Sequence, residues 1–573
     1  MPSTALSGFL STLLGAFELH EGNTMSIKNY TSHVGTKATP QTEPVMGKKQ
    51  VGNSAGGFVF AVTDWTRLER FLILGTEGGS YYASERNLTK DSAAAVIRCI
   101  KTDGKKTVDT IVAISDGGRA PKNDPAIFAL GLALKLGDLE TKRLAAAAVS
   151  KVCRVGTHIF SLAESVKGLG GWGRLTKKAF TGWYTGQTPE QLGMNLAKYQ
   201  SRNGWSHKDL LRKLKPKPKN EAQLQMYKWA VGKSGKGGLN EALEKQFLPK
   251  VIQGFEEAKK ATNITKVVEL IHEYGLPREC IPTEHLNSPA VWEALLMSGK
   301  GMGMTAMIRN LGKMSEIGLI KPLSTASKYI VGRLEDAQEL KRARVHPIQL
   351  LVAQSIYRAG RGLKGSLEWK VDSNVADALD GAFYKAFDAV EPTGKRFLLA
   401  LDISGSMGMG TIAGSHLTPR DGSAAMALVT AKTEKWNHVV GFSTAGGGYY
   451  GGGNTLLKEL DISPKQTLPQ AVKAISDLPF GGTDCSLPMQ YALQRKLEVD
   501  AFVVYTDNET YAGNIHPFQA LQKYRQETGI PAKLIVVGMI ANEFTIADPY
   551  DAGMLDVVGF DTSVPTVMAD FVR

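Results

Sequence analysis

Oxygen-bearing side chains follow two apolar runs in the C-terminal part of the sequence. One run begins at Phe397, reaches Asp402 and is followed by hydroxyls at Ser404 and Ser406, and a second, Ala501–Thr506, is followed by Asp507. Between them the stretch GGTDCS supplies Thr483. Two carboxylates and three hydroxyls suit a hard cation that keeps some of its waters, magnesium before zinc. We therefore predict a divalent-metal site, with Mg²⁺ as the ion, formed by Asp402, Ser404, Ser406, Thr483 and Asp507.

Two other interpretations of these residues are open. An isolated Asp-x-Ser-x-Ser segment can simply cap a following helix, but Thr483 and Asp507 favour the metal site. A metal-assisted phosphodiesterase would need histidines or a second metal cluster, and the sequence places neither beside these residues. Since no general base, nucleophile or phosphate-binding loop accompanies the site, we expect binding and no enzymatic activity. The glycines of GGGYYGGGNT predict a flexible loop.

Apolar runs alternate with helical stretches after about Val371. The runs, read as strands, are Phe397–Ile403, Val439–Phe442, Ala501–Thr506 and Leu534–Met539. The helical candidates between them are Ala424–Trp436, Ala471–Leu478, Leu487–Leu497 and Phe518–Glu527. Continuous apolar strands of this kind belong in a parallel sheet covered on both faces, whose functional crevice lies beyond the carboxyl ends of the strands. The predicted fold here is a doubly wound, Rossmann-like α/β domain that brings Asp402 and Asp507 to one edge.

Helical periodicity fills most of the region from about Trp65 to Gly362. Leu144, Ala147, Ala148, Val152 and Val155 form one helical stripe. At residues 347–360, Pro347 suits a first helical turn and Gly360 can end the helix. Strand signals are scarce there, so stacked helix pairs of an α-solenoid are the expected architecture, although no fixed-period repeat is present.

Charge divides along the chain. The segment from Glu391 to the end holds 14 Lys and Arg against 19 Asp and Glu, a net charge of −5, whereas residues 1–390 carry +18. This asymmetry favours a polyanionic partner for the helical half, with a lysine-rich solvated surface as the alternative. No apolar run is long enough for a membrane span, no secretory signal layout is present, and the four cysteines are widely spaced. We expect a cytoplasmic protein with no membrane partner.

Basic residues surround two aromatic residues between Lys198 and Lys219, in KYQSRNGWSHKDLLRKLKPKPK. Basic side chains neutralise phosphates, and aromatic rings can stack on unpaired bases of RNA. A lysine-rich helix end followed by a proline linker would have the same composition. The aromatic residues are Tyr199 and Trp205, and for Trp205 we expect packing in preference to base stacking.

Ordered blocks from both halves resemble the Ro autoantigen (TROVE) family. They include SAGGFVFAVTDWTRLERFLILGTEGGSYY at 54–82, GRAPKNDPAIFAL at 118–130, RNGWSHKDLLR at 202–212 and TAMIRNLGKM at 305–314, followed by GGTDCSLPM, TDNETYAG and IPAKLIVVGM. The metal-site residues are similar to the metal-ion-dependent adhesion site of von Willebrand factor A domains. The resemblance implies three regions: a flexible N-terminal extension at 1–40, a ring of HEAT-like helical repeats at 41–370 and a von Willebrand factor A-like domain at 371–573.

The family resemblance also implies a function. We expect an RNA-binding scaffold that binds Y-type noncoding RNA on its basic outer surface and single-stranded 3′ ends of misfolded RNA in a central cavity. Such a protein would act in RNA quality control and the stress response, as a monomer within a ribonucleoprotein, with a 3′-exoribonuclease as an associated partner. The alternative is a metal-dependent protein-adhesion module that uses the helical half as an interaction platform.

The resemblance carries RNA-binding roles onto particular residues. Lys198 and Arg202 match positions of the family's Y RNA contacts, and Lys215 takes the place of a histidine found in animal members. A lysine there keeps phosphate attraction but loses imidazole hydrogen bonding and stacking. The complete predicted RNA-binding set is Lys198, Arg202, His207, Lys208, Arg212, Lys213, Lys215 and Lys217.

Overall fold

A computed structural model describes residues 38–573 apart from 233–243, 299–300, 364, 388–389, 413–414, 445–454, 477 and 479–480. The predicted N-terminal extension at 1–40 lies almost entirely outside the described residues, and so does most of the predicted glycine-rich loop at 446–455.

The first half of the chain consists mainly of helices, as the periodicity predicts. Their bounds are Asp64–Leu74, Glu85–Thr102, Gly104–Gly117, Asp124–Leu136, Leu139–Val152, Gly156–Gly168, Arg174–Thr185, Pro189–Lys198, His207–Leu214, Glu221–Val231, Lys250–Ala258, Ile264–Tyr274, Pro289–Met297, Met304–Arg309, Leu311–Glu316, Thr325–Glu335, Ala337–Arg342, Pro347–Arg358 and Ser373–Lys385. The helix predicted at 347–360 is confirmed, with Pro347 in its first turn and Gly360 just beyond its end.

The run of helices closes on itself. Arg344 donates to the backbone and side chain of Asp116 at 2.6 Å each, and the Gln349 amide donates to the Pro121 carbonyl at 2.6 Å. These contacts join residues more than 220 positions apart. In an open solenoid, the first and last helices would not meet in this way. The helices therefore form a closed superhelix.

The second half contains a six-stranded sheet. Its strands are β5 (Arg396–Asp402), β6 (Trp436–Thr444), β7 (Thr455–Glu459), β8 (Ala501–Thr506), β9 (Lys533–Gly538) and β11 (Met554–Val558), in the order β11-β9-β8-β5-β6-β7. The helices of this domain are Pro419–Thr433, Leu468–Ser476, Leu487–Gln494, Pro517–Thr528 and Val564–Val572. The four predicted strands are all present, and β5, β8 and β9 are parallel with registers such as Leu399↔Val503 and Val503↔Ile535.

The edge strand β7 departs from the predicted parallel sheet because it pairs antiparallel with β6. Only ten residues separate the two strands, too few for the crossover helix that a parallel connection needs. The sheet is therefore parallel at its centre and mixed at one edge.

The segment before the first helix belongs with the sheet domain. Its strands β1 (Val51–Gly52) and β2 (Phe58–Ala61) pair with each other, and β2 also pairs with β10 (Phe544–Thr545). The Gln41 amide donates to the Asp484 carboxylate at 2.7 Å and to the Ile515 carbonyl at 2.9 Å. Residues 41–62, which the predicted boundaries place with the helices, thus pack on the sheet domain because their backbone bonds are satisfied there.

Ion pairs join the helical half to the sheet domain. The wholly buried Arg70 guanidinium donates to both oxygens of Asp556 on β11 at 2.7 and 2.8 Å, and to the backbone at Asn542 and Phe544. Arg119 forms a second ion pair with Asp561. These charged contacts fix the position of the sheet domain against the first helices.

Within the described residues, no helix is both long enough and apolar enough to span a bilayer.

Candidate metal centre and basic surface

The strand ends place the predicted metal-site residues at one edge of the sheet. Asp402 ends β5 and Asp507 directly follows β8, its parallel neighbour. The Ser404 amide and the Thr506 hydroxyl donate to the two Asp402 oxygens at 2.9 and 2.7 Å, which fixes this carboxylate. The Ser404 and Ser406 hydroxyls lie 3.2 Å apart, and Ser406 also hydrogen-bonds Asp507.

Thr483 reaches the same edge through a loop bound to the end of β6. The Gly481 and Gly482 amides donate to the hydroxyls of Ser443 and Thr444, and the Gly481 carbonyl accepts from Gly405, between the two serines. A Cβ atom at Gly481 would lie 1.8 Å from the Thr444 carbonyl oxygen, so this approach requires glycine. The Thr483 carbonyl accepts from the amides of Tyr511 and Ala512, on the loop that carries Asp507.

The two carboxylates are buried where their negative charge is poorly compensated. Burial, followed by the charge of Asp507, raises the pKa of Asp402 to about 7, and burial raises the pKa of Asp507 as well. The Arg420 guanidinium donates to the carbonyls of Ile403 and Ser404, and its charge also acts on Asp402. One arginine committed to carbonyl groups is insufficient to restore the ordinary pKa of Asp402.

This environment fits a divalent cation. The side chains of the five residues are at most 6% exposed and present carboxylate and hydroxyl oxygens, the ligands of hard cations. Two ionised carboxylates in a buried site repel each other unless a proton or a cation lies between them. Asp402, Ser404, Ser406, Thr483 and Asp507 are therefore the residues that would hold the ion.

The helical half contributes a side chain to this edge that the sequence analysis missed. The Tyr82 hydroxyl hydrogen-bonds Ser406, and burial together with the carboxylates of Asp507 and Glu509 raises the pKa of Tyr82. Nearby, the Thr411 hydroxyl donates to the Glu77 carbonyl at 3.3 Å. Only the motif GTEGGSYY pointed to this segment, and it gave no indication that residues more than 320 positions apart would meet.

Residues 54–55, which precede the first helix, contact the loop that follows β8 and carries Asp507. The Ser54 and Ala55 amides donate to the Glu509 carboxylate at 2.8 and 3.2 Å. Burial and the neighbouring charge of Asp507 raise the pKa of Glu509 to about 7. The metal-site edge is thus surrounded by parts of both halves of the molecule.

The predicted RNA-binding residues centre on the short helix His207–Leu214. Its capping box consists of the Ser206 hydroxyl bonded to the Asp209 amide and the Asp209 carboxylate bonded to the Ser206 amide. Leu210 and Leu211 are buried, while Lys208 and Arg212, four positions apart, share the exposed face. Two further exposed lysines, Lys215 and Lys217, directly follow the helix in the sequence.

No carboxylate pairs with Lys208, Arg212, Lys215 or Lys217 among the residues that the structure describes. Like charges four positions apart on a helix destabilise it. The helix dipole favours a cation in the last turn, where Arg212 lies, but it does not account for Lys208 or for the lysines beyond the helix. This accumulation of unpaired cations suits a polyanionic ligand.

His207 does not lie on this surface. It is buried, its Nδ1 is 2.8 Å from the Tyr184 hydroxyl and its Nε2 is 3.3 Å from the Asn195 carbonyl oxygen. Burial lowers the pKa of His207 to about 4, so the ring is neutral at physiological pH. A buried neutral imidazole cannot contact a phosphate. His207 therefore stabilises the packing of the helix and does not bind RNA directly.

Aromatic contacts connect the helix to the hairpin before it. Lys213 lies over the Trp172 ring at 5.3 Å, Trp172 packs against Trp205 with a centroid distance of 5.7 Å, and Trp205 faces Arg202 across the β3–β4 hairpin of Ser201–Arg202 and Trp205–Ser206. The Trp205 indole nitrogen donates to Glu164 at 2.9 Å. These contacts agree with the packing role expected for Trp205.

The two remaining predicted RNA contacts, Lys198 and Arg202, are less accessible to a phosphate than the unpaired cations of the helix His207–Leu214. Arg202 forms an ion pair of 3.2 Å with Asp124, with both side chains more than 40% exposed. Lys198, half-buried at the end of its helix, lies 5.5 Å from the Tyr199 ring. An RNA phosphate at Arg202 would have to compete with the Asp124 carboxylate.

Three further cations near this surface were missed by the sequence analysis. Arg174, Lys177 and Lys178 are exposed on the helix Arg174–Thr185, which packs against the helix His207–Leu214. The helical spacing of the sequence could have identified them, because the buried face of this helix carries Phe180, Trp183 and Tyr184 and the three cations lie on the other face. We use the term basic surface for Arg174, Lys177, Lys178, Lys208, Arg212, Lys213, Lys215 and Lys217.

Comparisons with known proteins cover both halves of the chain. The TROVE domain model matches residues 51–276 and 275–365, and the Ro60 vWA domain model matches residues 396–572. An RNA-binding protein RO60 of Deinococcus radiodurans is 39% identical over 550 residues, which is 96% of this chain and 99% of that protein. A protein of the same name from Caenorhabditis elegans is 37% identical over 611 residues, 94% of this chain and 92% of its own length.

The three-dimensional comparison agrees with these matches. The crystal structure of the Deinococcus radiodurans RO (RSR) protein superimposes with a TM-score of 0.65 at 38% sequence identity, covering 89% of this chain and 99% of that one. The predicted combination of a helical ring with a von Willebrand factor A domain is thereby confirmed. The chain joins a TROVE domain to a Ro60 vWA domain and belongs to the Ro (RO60) family.

Proposed function

We propose that this chain is the RNA-binding scaffold of a Ro-type ribonucleoprotein. The observation that carries the proposal is the basic surface, whose cations at Lys208, Arg212, Lys215 and Lys217 have no carboxylate partner among the described residues. The relatives named above are RNA-binding proteins, which agrees with this chemistry. The ligand of the basic surface is a Y-type small noncoding RNA.

The same proposal extends to RNA quality control. Single-stranded 3′ ends of misfolded RNA would enter the central cavity of the helical ring, and a 3′-exoribonuclease associated with the particle would degrade them. In this proposal the chain supplies binding, and the degradation belongs to the exoribonuclease. We place this activity in the cytoplasm and in the stress response.

Salt dependence tests the proposal directly. Phosphate contacts release counterions, so the affinity for a Y-type RNA should fall steeply with salt, with a slope near −3 in log K against log salt for roughly four contacts. The measurement is fluorescence anisotropy of a labelled Y-type RNA with the full chain between about 50 and 200 mM salt. An absence of binding at low salt would reject the proposal.

The metal centre supports a second candidate function, a divalent-ion-dependent adhesion module. The observation that favours it is the clustering of two buried, undercompensated carboxylates with three hydroxyl side chains at the sheet edge. A Mg²⁺ ion there would use an open position to bind a carboxylate of a protein partner. Asp402→Asn should then abolish partner capture in a pull-down and leave RNA binding unchanged, whereas capture that survives both this substitution and EDTA would exclude the adhesion function.

A further inference from the structure

A cavity of about 480 Å³ lies where three parts of the chain meet. Residues 121–122 come from the early part of the run of helices, the helix Pro347–Arg358 comes from its end, and Ser415 comes from the sheet domain. The helices Met304–Arg309 and Leu311–Glu316 contribute further walls. The volume lies within the range of roughly 300–1,000 Å³ that is typical of small-molecule sites.

Hydrogen bonds fix the three parts around the cavity. The Gln349 amide donates to the Pro121 carbonyl at 2.6 Å, and the Ser355 hydroxyl lies 3.1 Å from Nε2 of His416, the residue after Ser415. The helix Pro347–Arg358 therefore contacts both of the other parts directly. The cavity walls are thus held in place before a ligand binds, which lowers the entropic cost of binding.

The Trp369 ring closes one end of the cavity. It lies nearly parallel to the Tyr357 ring (20°) at a centroid distance of 6.1 Å, and its indole nitrogen donates to the Tyr357 carbonyl at 3.0 Å. A Cβ atom at Gly312 would lie 2.7 Å from the indole ring, so the ring also packs closely on this glycine. Because these contacts commit the indole to the protein, a ligand has to be held by the other walls.

Those other walls are aliphatic. The helix Pro347–Arg358 buries Leu350 and Leu351 in the core, and it also turns a second apolar side, Ile348, Val352 and Ile356, towards the cavity. Val352 and Ile356 are only half-buried. The remaining aliphatic residues of the lining are Ile308, Leu311 and Leu367. An aliphatic chain between these walls would remove their side chains from water, which favours its binding.

The charge around the cavity is of one sign. Lys122, Arg309 and Lys313 line it, and no carboxylate does so among the residues that the structure describes. Lys122 and Lys313 form ion pairs with Glu77 and Glu316 outside the lining, whereas no ion pair involves the exposed Arg309 within the described part of the chain. Arg309 is consequently the cation most available to an anionic ligand.

From these observations we infer that the cavity binds a medium-chain aliphatic carboxylate, with the chain between the aliphatic walls and the carboxylate at Arg309. A guanidinium matches the two oxygens of a carboxylate with parallel hydrogen bonds. The inference goes beyond the proposed RNA-binding function, because its ligand is a small amphipathic anion. A ligand that contacts the early and late helices and the sheet domain together stabilises the folded chain in which they meet.

The experiment is calorimetric titration of the full chain with hexanoate, octanoate and decanoate, each below the concentration at which it forms micelles. Burial of two further methylene groups should tighten binding roughly fifteenfold at each step of this series. Decanoate should also raise the midpoint of thermal unfolding of the wild-type chain.

Two substitutions separate the chain-binding and the carboxylate-binding parts of the cavity. Ala353→Phe fills the cavity from the half-buried wall and should weaken decanoate binding by at least about tenfold. Arg309→Gln should weaken octanoate binding by about tenfold or more and leave the binding of octan-1-ol unchanged, because only the carboxylate needs the cation. Unfolding midpoints without ligand show which variants fold, and the exposed position of Arg309 keeps the second test available if Ala353→Phe does not fold.

Matched controls exist in the chain. Arg342, like Arg309, is the exposed last residue of a six-residue helix but does not line the cavity, so Arg342→Gln should bind octanoate as wild type does. Ala359→Phe adds the same ring just beyond the helix that carries Ala353, at an exposed position, and should bind decanoate as wild type does.

The outcomes separate this inference from the proposed function. Absence of decanoate binding, equal affinities for hexanoate and decanoate, or decanoate binding that is unchanged in folded Ala353→Phe would overturn the inference, whether or not the chain binds a Y-type RNA. Equal octanoate affinities of Arg309→Gln and wild type would overturn the assignment of the carboxylate to Arg309. Decanoate binding with the predicted dependence on chain length, in a chain that binds no Y-type RNA, would support the inference and reject the proposed function alone.

Discussion

Asp402 shows how burial gives a carboxylate a function at the scale of one residue. Its strand-end position was predictable, because a parallel strand delivers its last residue to the crevice of the sheet. The compensation of its charge was not, because the Thr506 hydroxyl that binds it lies 104 positions away and the charge of Arg420 comes from the helix Pro419–Thr433. Sequence patterns identify the ligand atoms, and the fold determines how strongly those atoms need a cation.

The raised pKa of Asp402 predicts a stability that depends on pH and on Mg²⁺. A folded pKa of about 7, against about 3.9 for an ordinary aspartate, means that metal-free protein loses stability as pH rises from about 4 through about 7. Bound Mg²⁺ offsets this loss, by about 2.7 kcal/mol at a concentration one hundred times the dissociation constant. The Mg²⁺-induced rise in the unfolding midpoint should be larger at pH 8 than at pH 5.

Differential scanning calorimetry of Asp402→Asn checks this prediction. The substitution should remove most of the Mg²⁺ effect, whereas Asp570→Asn, at an exposed position of the helix Val564–Val572, should retain it. An equal Mg²⁺ effect in Asp402→Asn and wild type would show that the ion binds elsewhere.

His207 gives a second prediction at the scale of one residue. The family resemblance placed it among the RNA contacts because it belongs to the motif RNGWSHKDLLR. Its partners Tyr184 and Asn195 are far enough away in sequence to leave no local signal of its burial. Since burial lowers the pKa of His207 to about 4, its ring should show no titration between pH 5.5 and 8. Selective ¹³C-histidine NMR measures this, and a midpoint near 6.5 for His207 would contradict its burial.

At the scale of elements, strands were predictable where apolar residues are continuous and were missed where a function interrupts them. β5, β8 and β9 each contain a continuous apolar stretch, at 397–401, 501–505 and 534–537. β11 contains Asp556, whose partner Arg70 is 486 positions earlier, so no local pattern could identify the residue as buried and paired. β7 was missed because it is a short edge strand.

The capping box of the helix His207–Leu214 links local structure to RNA binding. Ser206→Ala removes the side-chain cap and should destabilise the helix by about 1 kcal/mol, because the Asp209 amide loses its acceptor. We expect weaker Y-type RNA binding, measured by anisotropy, since Lys208 and Arg212 would be less well ordered.

Thr418→Ala is the matched control for the capping box. It removes the same kind of cap from the helix Pro419–Thr433 in the sheet domain, at a similar cost in stability. RNA binding that falls equally in both variants would show that global stability, and not the order of this helix, determines affinity.

At the scale of the whole molecule, the two halves behave as one body held by buried charge. Arg70→Met leaves Asp556 without its partner and should lower the free energy of unfolding by about 3–5 kcal/mol. Arg98→Met breaks the half-exposed pair with Asp64, which lies on the same helix as Arg70, and should cost at most about 1 kcal/mol. Urea unfolding of both variants makes the comparison, and similar losses would show that the Arg70 pair contributes no special stabilisation.

The account depends most on the claim that the basic surface binds RNA. The direct measurement is the equilibrium affinity of a labelled Y-type RNA for wild type, Lys208→Gln/Arg212→Gln and Arg86→Gln/Lys90→Gln at one salt and Mg²⁺ concentration. The second variant removes two exposed cations at the same spacing from the helix Glu85–Thr102. The account predicts that only Lys208→Gln/Arg212→Gln weakens binding, by roughly tenfold or more, and that its salt slope falls by about two. Equal affinities for all three proteins would contradict it.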